Sequence, residues 1–100
     1  RSTPLYSSAA SDVYKRQGDA YAQTKVTFEV IEKALAQGGH SLADVVRTRV
    51  YLANAEDMDA VGKAHGELFS EIRPAATMLA GIKFINPLML VEIEVDSYKP

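Results

Sequence analysis

From Val91 to Asp96 the chain alternates apolar and acidic residues without a break, Val-Glu-Ile-Glu-Val-Asp. Residues two apart share one face of a strand, whereas a helix would scatter these three apolar residues around its circumference. Met89–Ser97 therefore reads as a strand, with Val91, Ile93 and Val95 turned to a core and Glu92, Glu94 and Asp96 turned away from it. A strand with one apolar face needs a layer to cover that face and neighbours to pair its edges. The rest of the chain has to supply both.

Val45–Leu52, Val-Val-Arg-Thr-Arg-Val-Tyr-Leu, is a second strand by its β-branched content and period of two. The alternation puts Val46, Thr48, Val50 and Leu52 on one face and Val45, Arg47, Arg49 and Tyr51 on the other. A third, shorter pattern over Ala75–Ile82 reads as a strand entered through Pro74. Pro74 also stops the preceding helix and biases Arg73 to extended backbone. Asn86-Pro87 marks the turn before the last strand, so the last two strands are expected to form a hairpin. The covering layer comes from two helices. Phe28, Ile31 and Leu35, widened by Thr24 and Ala34, give a helical stripe over Asp19–Gln37, closed by Gly38-Gly39. Met58, Val61, His65, Leu68 and Phe69 give a second stripe ending near Glu71. Between them Ser41-Leu42-Ala43-Asp44 has the spacing of a capping box, with Asp in the place of Glu or Gln.

The element order, helix, strand, helix, strand, strand, makes this an α+β fold with both helices on one face of a mixed sheet. One hundred residues support one domain. A net charge of −2 offers no field for nucleic acid or an anionic membrane. The absence of cysteine excludes disulfides, thiolate metal sites and a Cys nucleophile, and fits a reducing, cytoplasmic setting. No apolar run approaches the roughly 20 residues of a membrane span. His40 and His65 are too isolated to suggest a metal site.

Residues 1–17 stand apart. They are rich in Ser and Ala and follow neither period. Asp12-Val13-Tyr14-Lys15-Arg16-Gln17 resembles the translation of a transposon-derived adapter used in DNA library preparation. The expected organisation is a disordered or artefactual tail over 1–17 and a globular domain over 18–100.

Across 18–100 several motifs recur together: Ala22-Gln23-Thr24, Ser41-Leu42-Ala43-Asp44-Val45-Val46, Val50-Tyr51-Leu52, Arg73-Pro74-Ala75, Pro87, and Val91-Glu92-Ile93-Glu94. In this combination they resemble the RidA/YjgF family. The resemblance implies a chorismate-mutase-like fold, a homotrimer, and small-molecule pockets at the subunit interfaces. It implies an enamine/imine deaminase-like hydrolase that converts reactive 2-imino or enamine acids to 2-oxo acids and ammonia with no metal or organic cofactor. Family members begin with strands that lead into the first helix. The resemblance therefore implies that this domain is truncated at its N-terminus, without the strands that carry part of the family pocket.

Glu92 matches the family glutamate that positions the attacking water, a role a carboxylate performs by hydrogen bonding to that water. Its structural alternative is a cross-strand charge pair with Arg47 or Arg49, worth about 0.2–1 kcal/mol. Active imine deaminases carry arginine two residues after the Arg73-Pro74 proline, where it clamps the substrate carboxylate. Here that position is Ala76, and a polar Asn typical of the second helix aligns with Gly62. Thr77 offers a hydroxyl and Arg73 a charge as substitute substrate-binding groups, although Thr77 is also an ordinary strand residue and Arg73 an ordinary helix-exit residue. His65 on the apolar stripe reads as a satisfied core or interface histidine. The alternative to an enzyme is a non-catalytic small-ligand-binding or regulatory member of the same fold.

Overall fold

The computed structural model describes residues 19–100. The reading of residues 1–17 as a foreign tail lies outside them.

Helix α1 spans Ala20–Gln37. Asp19 caps it, its carboxylate accepting the Ala22 N–H at 2.9 Å. Phe28, Ile31 and Leu35 are buried as the stripe requires. Thr24 and Thr27 are buried with them, because each hydroxyl donates back to the carbonyl four residues earlier, both at 2.7 Å. The helix ends at Gly38, and Gly39 takes φ +78, which favours glycine. In the next turn the Asp44 carboxylate accepts the Ser41 N–H at 2.9 Å.

Strand β1 spans Val45–Leu52, helix α2 Met58–Phe69, strand β2 Ala75–Leu79 and strand β3 Val91–Ser97. The sheet order is β2-β1-β3, with β1 parallel to β2 and antiparallel to β3. The two helices pack on one face of this mixed sheet. The shared core contains Phe28, Ile31, Val50, Leu52, Val61, Phe69, Val91, Ile93 and Val95. Tyr21 and Lys25 on α1 both donate to Glu67 on α2, at 2.5 and 3.0 Å, and hold that carboxyl below its usual range. Among the described residues no helix is long and apolar enough to cross a membrane.

Four expectations are corrected. The last two strands do not form a hairpin: β1 lies between them. The connection between β2 and β3 passes over the end of β1, where Ile82 N–H bonds Leu52 C=O and Ala53 N–H bonds Leu90 C=O. The third strand stops at Leu79 rather than Ile82, and Gly81 turns the chain at φ +81. In β1, Val45 is buried while Val46 is 50% exposed, the reverse of the simple alternation. Val45 pairs with Ser97 and Arg47 with Asp96, so Val46 is the extra residue of a bulge that flips the pleat. Lastly, Arg73 is not extended. It takes φ +57, and its N–H closes onto Phe69 C=O at 2.8 Å, the place a helix-ending glycine usually fills.

The outer sheet face is polar. Arg47 lies opposite Asp96, Arg49 opposite Glu94 and Tyr51 opposite Glu92. Arg49 Nη2 lies 3.4 Å from Asp96 Oδ2, and the Tyr51 hydroxyl donates to Glu94 at 2.9 Å. The bond to Glu94 pushes the Tyr51 hydroxyl pKa up. The charge pair weighed for Glu92 with Arg47 or Arg49 is not among these contacts; Glu92 lies opposite Tyr51.

Candidate functional site

A cavity of about 100 Å³ opens between α2 and β2, lined by Val50, Gly62, His65, Ala76, Thr77 and Met78. Its origin is local. Ala76 pairs with Thr48 and Met78 with Val50, so the strand turns these side chains toward the helices. Gly62 faces them from α2, and a methyl group built there would meet nothing within 4 Å. With no side chain at Gly62 and only a methyl at Ala76, helix and edge strand meet without filling the space between them.

His65 is the ring at this site. Its Nε2 lies 2.9 Å from Oγ1 of the fully buried Thr48. Its ring meets Phe28 edge-on at 6.0 Å and lies tilted against Phe69 at 4.8 Å, centroid to centroid. Burial lowers its pKa below the ordinary 6.5, so the neutral ring is favoured. The expectation of a satisfied histidine agrees with this arrangement. Among the described residues no Asp, Glu, Lys or Arg lines the cavity, and no three His, Asp or Glu converge as metal ligands.

Of the site residues singled out in the sequence, Thr77 lines the cavity. Glu92 does not. It is exposed on the outer sheet face, opposite Tyr51, with the sheet between it and His65. Arg73 is exposed at the left-handed turn that ends α2 and is also absent from the lining. The structure thus brings Gly62 and Ala76, the two positions where the chain departs from the family pattern, together at the cavity, and the sheet lies between them and Glu92; Thr77 borders the cavity, but its pairing with Arg49 turns its side chain to the outer face.

Two polar arrangements escaped the sequence. Gln23, buried on α1, donates Nε2–H to Leu88 C=O at 3.0 Å and accepts Leu90 N–H on Oε1 at 2.8 Å, like a strand neighbour. His40 shares a 2.7 Å hydrogen bond with Ser97 at the end of β3. Neither has a local sequence signal, because each joins segments far apart in the chain. A second, shallower concavity of about 340 Å³ lies under the connection to β3, beside Asn54, Lys83, Phe84 and Asn86.

The family model described as Endoribonuclease L-PSP matches residues 7–99. The Streptomyces coelicolor protein SCO2049 is 46% identical over 88 residues, which cover 88% of this chain and 66% of that protein. The 3-aminoacrylate deaminase RutC of Acinetobacter baylyi is 36% identical over 76 residues, covering 76% of this chain and 60% of that enzyme. Among solved structures, a Mycobacterium tuberculosis member of the YjgF/YER057c/UK114 family superposes with a TM-score of 0.79 at 44% identity. That match covers 81% of this chain and 69% of the other. The chain thus spans less than two thirds of the length of these curated relatives.

Proposed function

The chain belongs to the endoribonuclease L-PSP family, which takes in the RidA/YjgF and RutC proteins, and on that premise we propose that the intact protein is an enamine/imine deaminase-like hydrolase of small reactive metabolites. The cavity between α2 and β2 is its ligand site, and Glu92 steers the attacking water. The carrying observation is that His65 converges with Gly62, Ala76 and Met78 on one concave site. The deaminase among the similar proteins supports the reaction class.

Glu92 and the cavity lie on opposite faces of the sheet, so within one chain they serve different sites. A homotrimer with interface pockets reconciles them, because one subunit's outer face then meets its neighbour's β2 edge. Arg73 and Thr77 bind substrate at this junction, no metal or organic cofactor takes part, and the protein works in the cytoplasm. A nucleic-acid substrate fits less well. The net charge is −2, and arginines on the outer face alternate with carboxylates instead of forming a basic track.

The test is ammonia release from freshly generated 2-iminopropanoate and 3-aminoacrylate. Turnover is expected, slower for these carboxylates than for matching uncharged enamines because Ala76 replaces the family's carboxylate-binding arginine, and Glu92→Gln is expected to lower kcat by about 10²-fold or more. Installing the family's guanidinium with Ala76→Arg is expected to raise kcat/KM for these carboxylate substrates by about tenfold or more. Release no faster than the uncatalysed rate, with these and with uncharged enamines, would reject the hydrolase. It would leave the second reading, a ligand-binding member without turnover. That reading is favoured by one observation: among the described residues no carboxylate, lysine or arginine lines the cavity.

A further inference from the structure

The Thr48–His65 hydrogen bond has a consequence for what the cavity can accept. A neutral imidazole has one N–H donor and one bare acceptor nitrogen. Thr48 Oγ1 is fully buried, and its contact with His65 Nε2 is its only hydrogen bond among the described residues. If Nε2 carried the proton, the Thr48 hydroxyl hydrogen would be buried without an acceptor. If Thr48 donates instead, both groups are satisfied by one bond, and the ring proton sits on Nδ1. Burial disfavours the doubly protonated ring. His65 is therefore held as the neutral Nδ1–H tautomer. Its ring lines the cavity, and Nδ1 is the polar atom it has left to offer.

The remaining walls define the rest of the ligand. Val50, Ala76, Met78 and the bare backbone of Gly62 are apolar, and Thr77, paired with Arg49, turns its side chain to the outer face and lends the cavity its backbone. A carboxylate entering this space would lose its water and find no Lys or Arg among the described lining residues in return. A neutral carbonyl or carboxamide would lose far less and would gain a hydrogen bond from Nδ1–H. A volume of about 100 Å³ holds about three to five heavy atoms, given the roughly 30 Å³ that one water occupies in the liquid.

We propose that the cavity between α2 and β2 selects small uncharged carbonyl or carboxamide compounds over the matching carboxylates, with His65, donating from Nδ1, as the specificity-determining residue. This rests on the reading of the cavity as the ligand site, and it names the ligand class of that site.

The experiment uses the intact chain with ¹⁵N-histidine and ¹³C-methyl methionine labels. The ring ¹⁵N shifts of His65 above its titration range are expected to show the proton on Nδ1. An Nε2–H tautomer would overturn the proposal without any variant being made. Titration with propionamide is expected to move the Met78 methyl and the His65 Nδ1 resonances. Propionate, of the same shape, is expected to bind at least about tenfold more weakly, since the desolvated charge finds no partner. His65→Phe, which keeps a ring and removes the donor, is expected to weaken propionamide by about tenfold, a usual loss for one hydrogen bond. Equal binding of propionate and propionamide would sink the selectivity while leaving the cavity as the ligand site. If neither compound moves Met78, the ligand-site reading fails and this inference fails with it.

Discussion

Thr48 and His65 satisfy each other across the space between β1 and α2. Thr48→Val keeps the side chain's shape and removes the donor to Nε2. The buried nitrogen then loses its partner, at a cost of about 1–2 kcal/mol, moderated because the ring is half-buried and water reaches part of it. A urea titration reads this directly, and an unchanged midpoint would show that the bond contributes nothing. The same ring makes stability depend on pH. Its folded pKa lies below the 6.5 of the unfolded chain. As pH falls through about 6.5 the unfolded state therefore gains a proton before the folded state does. Stability is fully present above that value, falls as pH drops toward the folded pKa, and levels below it. The urea midpoint should therefore be lower at pH 5.5 than at pH 7.5, and His65→Phe should flatten that step. His65's place on the apolar stripe was readable from its spacing to Val61 and Phe69. Its partner was not, because Thr48 belongs to a strand and nothing local ties the two together.

At the scale of elements, the strand and helix identities followed from periodicity, and the errors sit where a long-range contact overrides it. The bulge at Val46 needs Ser97 and Asp96 on the opposing strand to exist. The expected hairpin failed because Asn86-Pro87 signals a turn without saying which strand the chain returns to. Gln23 supplies part of that answer. Its amide holds Leu88 and Leu90 on the approach to β3. Gln23→Ala would leave one part-buried carbonyl and one part-buried N–H without the amide, at a cost of about 1–2 kcal/mol. Amide exchange of Leu90 should accelerate more than that of Val95 in the middle of β3, and equal protection of Leu90 in both proteins would contradict the clamp. Helix α2 carries the opposite opportunity. Gly62 sits in the helix interior, where glycine costs about 0.5–1 kcal/mol relative to alanine. Nothing obstructs a methyl there. Gly62→Ala should therefore raise the melting temperature and, by narrowing the cavity, weaken its ligand. A stabilised variant with unchanged binding would separate Gly62 from the site. The cavity was half legible: Gly62 and Ala76 stood out as departures from the family pattern, but only the register of β2 on β1 brings them together.

Across the whole molecule, the unresolved relation is between the cavity and Glu92, which one chain places on opposite sides of its sheet. The outer face around Glu92 suits contact with another copy. Arg49 already pairs with Asp96, and the Tyr51 hydroxyl already satisfies one oxygen of Glu94, which lowers the cost of covering these groups. Val46 and Leu79, each half-exposed, add apolar area at the margins of the sheet. If the interface draws its cavity from one subunit and its carboxylate from the next, two inactive variants should repair each other. Glu92→Gln spoils the carboxylate and leaves the cavity. Ala76→Phe fills the cavity and leaves the carboxylate. Dissociated and reassembled in equal amounts, they should recover about a quarter of wild-type activity, because each interface of a cyclic assembly takes its two halves from independently chosen chains. Recovery requires the halves to lie on different subunits, since no chain in the mixture carries both intact. Val46→Asp provides the control. A charge in the bulge should cut the mass in light scattering to that of a single chain and abolish turnover, while the far-ultraviolet circular dichroism stays unchanged. Activity that persists in the monomer, or a mixture as dead as its parts, would place Glu92 outside the reaction and return the site to the residues around His65.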